Sequence, residues 1–315
     1  MRFVDAGEVH SNLTYPALMD AFERAHRQEP PRIGRSCLEP PTGTRPAGEG
    51  FLVHTTWAPD RAFGVKMATI LPDNYQRDED LPTIQAVYQL FDGETGSPTL
   101  TIDGTALTLW KTAADSALGS RLLAREDSRT LLMIGAGSLA PHLISAHLAA
   151  RPSLDRVMIW NRTASRCDGV VSQLDQDIEI VDDLNAAVSE ADVVSVATMA
   201  SAPLVMGRYL KPGAHVDLVG GYTPTMREAD DETMRRARIY VNYRGATVGE
   251  VGDLTQPMEA GVIAEADILG DLFDLCQERV AGRQNVDNIT VYKNGGGGHL
   301  DLFTAEHLAS CLNGL

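Results

Sequence analysis

From Thr14 to Arg27 the apolar residues Leu18, Phe22 and Ala25 recur at helical spacing behind Ser11 or Thr14 as candidate caps, which predicts an amphipathic surface helix. Between Phe51 and Gly104 the pattern changes to short β-rich runs, Phe51–Trp57, Phe63–Ile70, Ile84–Phe91 and Pro98–Ile102, separated by turns such as Asp92–Gly96. These runs predict an antiparallel sheet. After a helical stretch, Ala106–Ala124, strands and helices alternate: Thr130–Ile134, Leu139–Ala150, Arg156–Trp160, Ala164–Leu174, Ile178–Val181, Ala191–Ala197, His215–Val219 and Arg238–Val241. Alternation of this kind requires crossover connections and therefore a parallel sheet. The remainder predicts a helix near Ile263–Glu278, a strand Ile289–Tyr292, a glycine run Gly295–Gly298 and a closing helix.

Length and composition allow a sizeable core: 315 residues, 43% of them hydrophobic and 22% charged. The formal charge of −16 argues against nucleic acid or an anionic membrane as partner, so an anionic ligand must be held by local cations. Cys37, Cys167, Cys276 and Cys311 lie far apart without a CxxC pair, which suits neither a disulfide framework nor a zinc site. No N-terminal targeting pattern or membrane-length apolar run is present, and a cytoplasmic location is expected.

The segment Leu131–Ala140 is an apolar strand running into GxGxxA at the start of a helix. Gly135 permits the tight turn, Gly137 lets a pyrophosphate approach the backbone, and Ala140 lets helix and strand pack closely. Ser138 and Leu139 bring the helix N-terminus, with its unpaired N–H groups, to face the phosphates. The second strand ends in Asn161-Arg162-Thr163, without the carboxylate that NAD-selective sites place there. Arg162 suits a 2′-phosphate, with Asn161 and Thr163 adding neutral hydrogen bonds, so NADPH is preferred and NADH stays open. Thr198 closes the next core strand as a cofactor contact or a simple strand-end hydroxyl. The expected fold is therefore α/β: a Rossmann-type parallel-sheet domain and an α+β domain built on an antiparallel sheet.

Several further segments carry a family resemblance: Gly64-Val65-Lys66-Met67 with Pro72-Asp73-Asn74, Leu81-Pro82-Thr83 through Phe91, Thr95–Pro98, Lys111-Thr112-Ala113-Ala114-Asp115-Ser116-Ala117-Leu118, and Gly220–Glu228. With the GxGxxA segment, in this order, they resemble the ornithine cyclodeaminase/mu-crystallin family. The resemblance implies that the chain returns after the glycine run, so that residues 1–115 with 298–315 form the first domain and 116–297 the Rossmann-type domain, and that the first domain binds substrate and pairs into a homodimer through its sheet. It also implies that a substrate carboxylate is held by Arg32, Lys66 and Lys111, with Arg35 the alternative to Arg32, and it adds Thr83 to the substrate-binding set. Lys111 stands where the family has arginine, which keeps the charge but loses the bidentate fork.

Tyr222 stands where ornithine cyclodeaminases are similar in having an aspartate that engages the substrate amine. A neutral phenol offers no anionic acceptor. The stretch through Thr223-Pro224-Thr225-Met226-Arg227-Glu228 instead resembles the reductase branch. The resemblance thus implies NADPH-dependent reduction of a small cyclic imino acid such as 1-pyrroline-2-carboxylate, with Lys66 and Tyr222 as catalytic candidates and no metal. Ornithine cyclodeamination and a non-catalytic, mu-crystallin-like binding role are the alternatives. His299, after the glycine run, is the one histidine singled out.

Overall fold

A computed structural model describes residues 1–40, 49–71, 73–74 and 82–313. The chain divides into two compact units, the first made of Met1–Ala25, Glu29–Lys111 and Gly297–Leu315, the second of His26–Gln28 and Thr112–Gly296.

The first unit is built on a six-stranded sheet of β1 (Arg2–Val4), β2 (Arg32–Leu38), β3 (Gly50–Ala58), β4 (Ala62–Ile70), β5 (Ile84–Asp92) and β6 (Pro98–Asp103), in the order β1-β6-β5-β4-β3-β2. From β2 to β6 the pairs are antiparallel, as the alternating pattern requires, but β1 joins β6 in parallel, so the sheet is mixed. Along β4, Ala62, Gly64, Lys66 and Ala68 are buried while the residues between them are not, the two-residue period of a strand covered on one face. The cover is the C-terminal helix Gly298–Asn313, which packs on β2 to β5. Its first residue must be small: a Cβ on Gly298 would lie 2.5 Å from Thr56 Oγ1.

Three elements in the first part of the chain, β1, β2 and a helix, were not foreseen. A short helix, Ala6–Asn12, is closed by a reciprocal box in which Asp5 caps the Glu8 amide and Glu8 returns to the Asp5 amide. Ser11 belongs to this helix and not to the cap of the next one, Tyr15–His26. The strand β2 also went unread, because Arg32–Leu38 has no apolar alternation to mark it.

The second unit holds an eight-stranded, wholly parallel sheet: β7 (Thr130–Ile134), β8 (Arg156–Trp160), β9 (Ile178–Ile180), β10 (Val193–Val196), β11 (His215–Leu218), β12 (Ala237–Val241), β13 (Ile268–Gly270) and β14 (Ile289–Lys293). Their order is β13-β12-β14-β11-β10-β7-β8-β9. Central strands such as β7 and β10 are buried along their full length, which is why they read as unbroken apolar runs. The chain runs outward from β7 through β8 to β9 and then returns to β10 on the other side of β7. The β7/β10 gap is thus the topological switch point, the place where such sheets bind ligands beyond their strand ends.

The helix expected over Ile263–Glu278 is replaced by the edge strand β13 and a short helix, Leu272–Cys276. Asp271 is the reason: it caps the Asp274 amide and Asp274 returns the bond, so a helix begins there and the apolar residues before it pair with β12 instead. A further unforeseen helix spans Gly252–Glu259. Among the described residues no helix is long and apolar enough to cross a membrane, and no cluster of His, Cys, Asp or Glu could hold a metal ion. All four cysteines are free thiols.

Candidate functional site

In the second unit, β7 runs directly into the glycine loop. The Gly135 amide donates to the Trp160 carbonyl at 2.9 Å, tying the loop to the end of β8. Gly135 takes φ +114°, and a Cβ there would lie 2.5 Å from the Ala197 carbonyl at the end of β10. Gly137 differs: a Cβ on it would meet nothing within 4 Å. Gly137 and Ser138 instead line an open cleft of about 330 Å³ with Ser165, Arg166 and Gln173. The helix that follows, Ala140–Ala150, has Leu139 at its N-cap, no side-chain cap bond and a proline in its first turn. Its leading amides therefore face the loop without a competing side chain, the local chemistry that a pyrophosphate requires. The loop fits a dinucleotide because the position that must stay bare of side chain, Gly137, borders open space.

Beyond β8, Asn161 spends its amide on the Thr163 carbonyl at 2.8 Å, so it shapes the turn. Arg162 and Thr163 are exposed. Arg166, which the sequence reading passed over, lines the cleft itself because the short helix Ser165–Val171 presents it one turn after Arg162.

Thr198 does not simply end a strand. Its amide and hydroxyl both donate to Glu228 Oε1, at 2.7 and 2.8 Å, while Glu228 Oε2 accepts from the amides of Gly220 and Gly221 at 2.7 and 3.1 Å. One buried carboxylate thus ties together the loops that follow β10 and β11. Behind it, Asp253 accepts from the Glu228 and Ala229 amides and from the buried Lys293 ammonium, at 2.7, 3.2 and 3.0 Å. Burial pushes Glu228 up to about 7 against the pull of Lys293. Tyr222 follows on the same loop and is 55% exposed.

In the first unit, strand pairing aligns Arg35, His54, Lys66 and Tyr88 in one row across β2, β3, β4 and β5. Residues of one row share a sheet face, and here it is the face covered by the C-terminal helix. That helix places the buried Asp301 between two lysines. Lys111 Nζ, from the helix Gly104–Leu123, lies 2.9 Å from Asp301 Oδ2, and Lys66 Nζ lies 3.4 Å from Oδ1. Lys66 also donates to Thr108 Oγ1 at 2.5 Å and Lys111 to the Gly297 carbonyl at 3.3 Å. Burial pulls Lys66 down to about 8, with Asp301 opposing and Lys111 reinforcing the fall. Burial raises Asp301, but Lys111 and Lys66 outweigh it and hold the carboxyl below its ordinary value. Burial and Lys111 push His54 down to about 4, and its Nε2 has no hydrogen-bond partner among the described residues.

The remaining expectations divide. Arg32 pairs with Trp57, in the row of Phe63 and Phe91 on the opposite sheet face, so Arg35 and not Arg32 shares the lysine row. Thr83 is exposed just ahead of the Ile70–Ile84 pair, roughly 16 Å along β5 from Tyr88, and is not brought to the lysines. Pro72 and Leu81, from the resembling segments, lie outside the described residues. His299 is buried edge-on against Phe303. Asp301 and His54 were missed: each lies in a segment read only as helix or strand, and only tertiary packing brings it to the lysines.

A doubly wound dinucleotide-binding unit joined to a mixed-sheet unit with a buried cationic pair defines a nucleotide-dependent α/β protein. The chain belongs to the ornithine cyclodeaminase/mu-crystallin family, whose profile matches residues 5–308. It is 39% identical to a Delta(1)-pyrroline-2-carboxylate reductase of Paracoccus denitrificans, over 99% of this chain and 98% of that one. The structure of a Thermococcus litoralis Delta(1)-pyrroline-2-carboxylate reductase, in complex with NADH and L-proline, superposes with a TM-score of 0.91 at 26% identity, covering 100% of this chain and 98% of that one. The iminosuccinate reductase of Paracoccus denitrificans, in complex with NAD+, superposes at 0.87 with 25% identity, over 99% and 96% of the two chains.

The two loop glycines should separate in their effects. Gly135→Val places a side chain against backbone at positive φ and should lower the melting temperature sharply, through strain on the order of 1–3 kcal/mol. Gly137→Val should melt like the wild type and lose dinucleotide binding, measured by calorimetry and fluorescence titration.

Proposed function

We propose that the chain is an NADPH-dependent reductase of a cyclic imino acid, converting 1-pyrroline-2-carboxylate to L-proline. The observation that carries this reading is the Lys66–Asp301–Lys111 cluster, whose two ammonium groups face one carboxylate and so leave one positive charge for a substrate anion. Arg35 is the arginine we assign to the same carboxylate. The first unit is then the substrate and dimerisation half, the second the cofactor half, and the free cysteines suit a cytoplasmic setting.

When bound, the dihydronicotinamide supplies hydride to the imine carbon, and the C=N π pair moves to nitrogen, which needs one proton. Lys66 and Lys111 fix the carboxylate and with it the orientation of the ring, so that much of the acceleration comes from positioning. Lys66, at about 8, keeps its proton near neutral pH and is close enough to the working range to release it to the ring nitrogen. Glu228 holds the loops after β10 and β11 in one arrangement, which gives the nicotinamide end of the cofactor a fixed floor. Tyr222, a neutral side chain where a deaminase needs an acceptor, favours reduction over ornithine cyclodeamination.

The purified protein should therefore oxidise NADPH with 1-pyrroline-2-carboxylate and release no ammonia from ornithine; the reverse result would sink the reading. Because Lys66 is lowered to about 8, its charge is lost as pH rises through that value, so KM should climb about tenfold per pH unit beyond it.

For the cofactor, the absent strand-end carboxylate and the pair Arg162 and Arg166 support NADPH. Replacing both arginines with alanine should weaken NADPH by about 1.5–3 kcal/mol or more while barely changing NADH. Equal losses in a titration would remove the 2′-phosphate assignment.

The face of the first sheet turned away from the helix carries the exposed Trp57 and Val87, with Trp57 stacked on Phe63 at 5.5 Å. We assign this apolar face to a homodimer. Val65→Glu, in the middle of it, should convert a sedimenting dimer to monomer.

A further inference from the structure

Lys66, Lys111 and Asp301 come from three separate elements, and the geometry gives each lysine its own oxygen of one carboxylate: Oδ1 at 3.4 Å from Lys66 and Oδ2 at 2.9 Å from Lys111. Asp301 has no exposed surface, so it cannot touch solvent or a ligand that enters from outside. The two lysines are 8% and 5% exposed, so each keeps a little accessible surface that the aspartate lacks. Two like charges this close destabilise one another unless an opposite charge lies between them.

We propose that Asp301 is a positioning residue for the imine reduction, holding Lys66 and Lys111 side by side as ammonium groups and so creating the carboxylate-binding pair. This inference rests on the reductase reading above and adds the residue on which its substrate grip depends. Thr108 Oγ1 steers Lys66 from the helix Gly104–Leu123, and the Gly297 carbonyl steers Lys111 from the turn before the C-terminal helix. Around Lys66 stand Arg35 from β2, His54 from β3, Tyr88 from β5, Lys111 from the helix Gly104–Leu123, and Asp301 from the C-terminal helix. Of these only Asp301 is an anion, so removing its charge takes away the one carboxylate that both lysines face among these groups. Lys66 already lies near 8 with Asp301 raising it and Lys111 lowering it. Without the carboxylate, the ammonium form of Lys66 becomes harder to keep, and its titration moves to lower pH.

The test uses the full chain, wild type, Asp301→Asn and Lys111→Gln, each checked for folding by thermal melt. Lysine titrations are followed by 13Cε NMR without substrate, the Lys66 signal being identified by its loss in Lys66→Gln. In parallel, kcat/KM for 1-pyrroline-2-carboxylate with NADPH is measured against pH. In Asp301→Asn the Lys66 titration and the alkaline limb of the profile should both move down by about one to three pH units, with activity recovering towards acid pH. An unmoved Lys66 titration, or a loss of activity uniform across pH, would overturn the inference. In Lys111→Gln, with the aspartate left to one lysine, the Lys66 titration should rise; an unchanged or lower value also overturns it, and this variant decides the matter if Asp301→Asn does not fold. Should the wild type fail to reduce the imine, the functional reading falls, while the substrate-free titrations still judge Asp301.

Discussion

Burying an ammonium group is so unfavourable that the architecture of the first unit follows from how two of them are accommodated. The desolvation penalty is several kcal/mol per ion, and a second lysine of the same sign adds to it. Only an opposite charge at close range offsets both terms, and Asp301 is that charge. It sits in the first turn of the C-terminal helix, where the positive end of the helix dipole also favours a carboxylate. For the aspartate to arrive there, the chain leaves this unit after Lys111, builds Thr112–Gly296 of the second unit, and returns at Gly297. The bare Gly298 then lets the helix start against β3. The discontinuity of the first unit in sequence is thus tied to the electrostatics of its buried lysine pair.

The second unit solves a related problem with the same device. A parallel sheet ends in loops whose amides have no strand to pair with, and the switch point needs those loops rigid. Glu228 accepts from four donors on two loops at once, and Asp253, anchored by Lys293, accepts from the amide of Glu228 itself. Replacing a carboxylate that serves four donors by any neutral group strands at least part of the set, and each stranded donor costs about 1–3 kcal/mol. The MRE portion of the segment 220–228 is therefore legible as structure: its glutamate holds together the loops on either side of it.

What sequence could reveal was whatever is local. The glycine loop carries its reasons within a few residues, because the tight turn at Gly135 and the bare approach at Gly137 are set by the residues themselves. The core strands announce themselves as continuous apolar runs because both faces are covered. Register is not local: nothing in the spacing of Arg32 and Arg35 says which shares a row with Lys66, since a shift of one residue turns a strand over. Asp301 is 190 residues from Lys111, and on its own it reads as an ordinary acidic residue in a helix. The Ile263–Glu278 region misled for another reason. Its apolar spacing suits a helix, but the reciprocal cap at Asp271 and Asp274 starts one only at Leu272 and leaves the preceding residues to the sheet edge.

The engagement of two buried carboxylates, Asp301 and Glu228, bears on which chemistry the fold supports. Deaminating a diamino acid needs an anionic acceptor for the distal amine and for the water at the carbon losing ammonia. Asp301 has both oxygens committed to lysines, and Glu228 has both committed to backbone and hydroxyl donors. Either could serve a substrate amine only by releasing a partner that would then be buried without compensation, at a cost above that of an ordinary hydrogen bond. The next polar side chain on the loop after β11 is the phenol of Tyr222, which brings no negative charge. On the proposed reading a planar imine with one carboxylate asks for none: its anion would meet the surplus positive charge of the lysine pair, and its ring nitrogen needs a proton and not an acceptor. Under the proposed function, the charge balance of the first unit suits a substrate with one anionic group and no free amine, whatever the size of its ring.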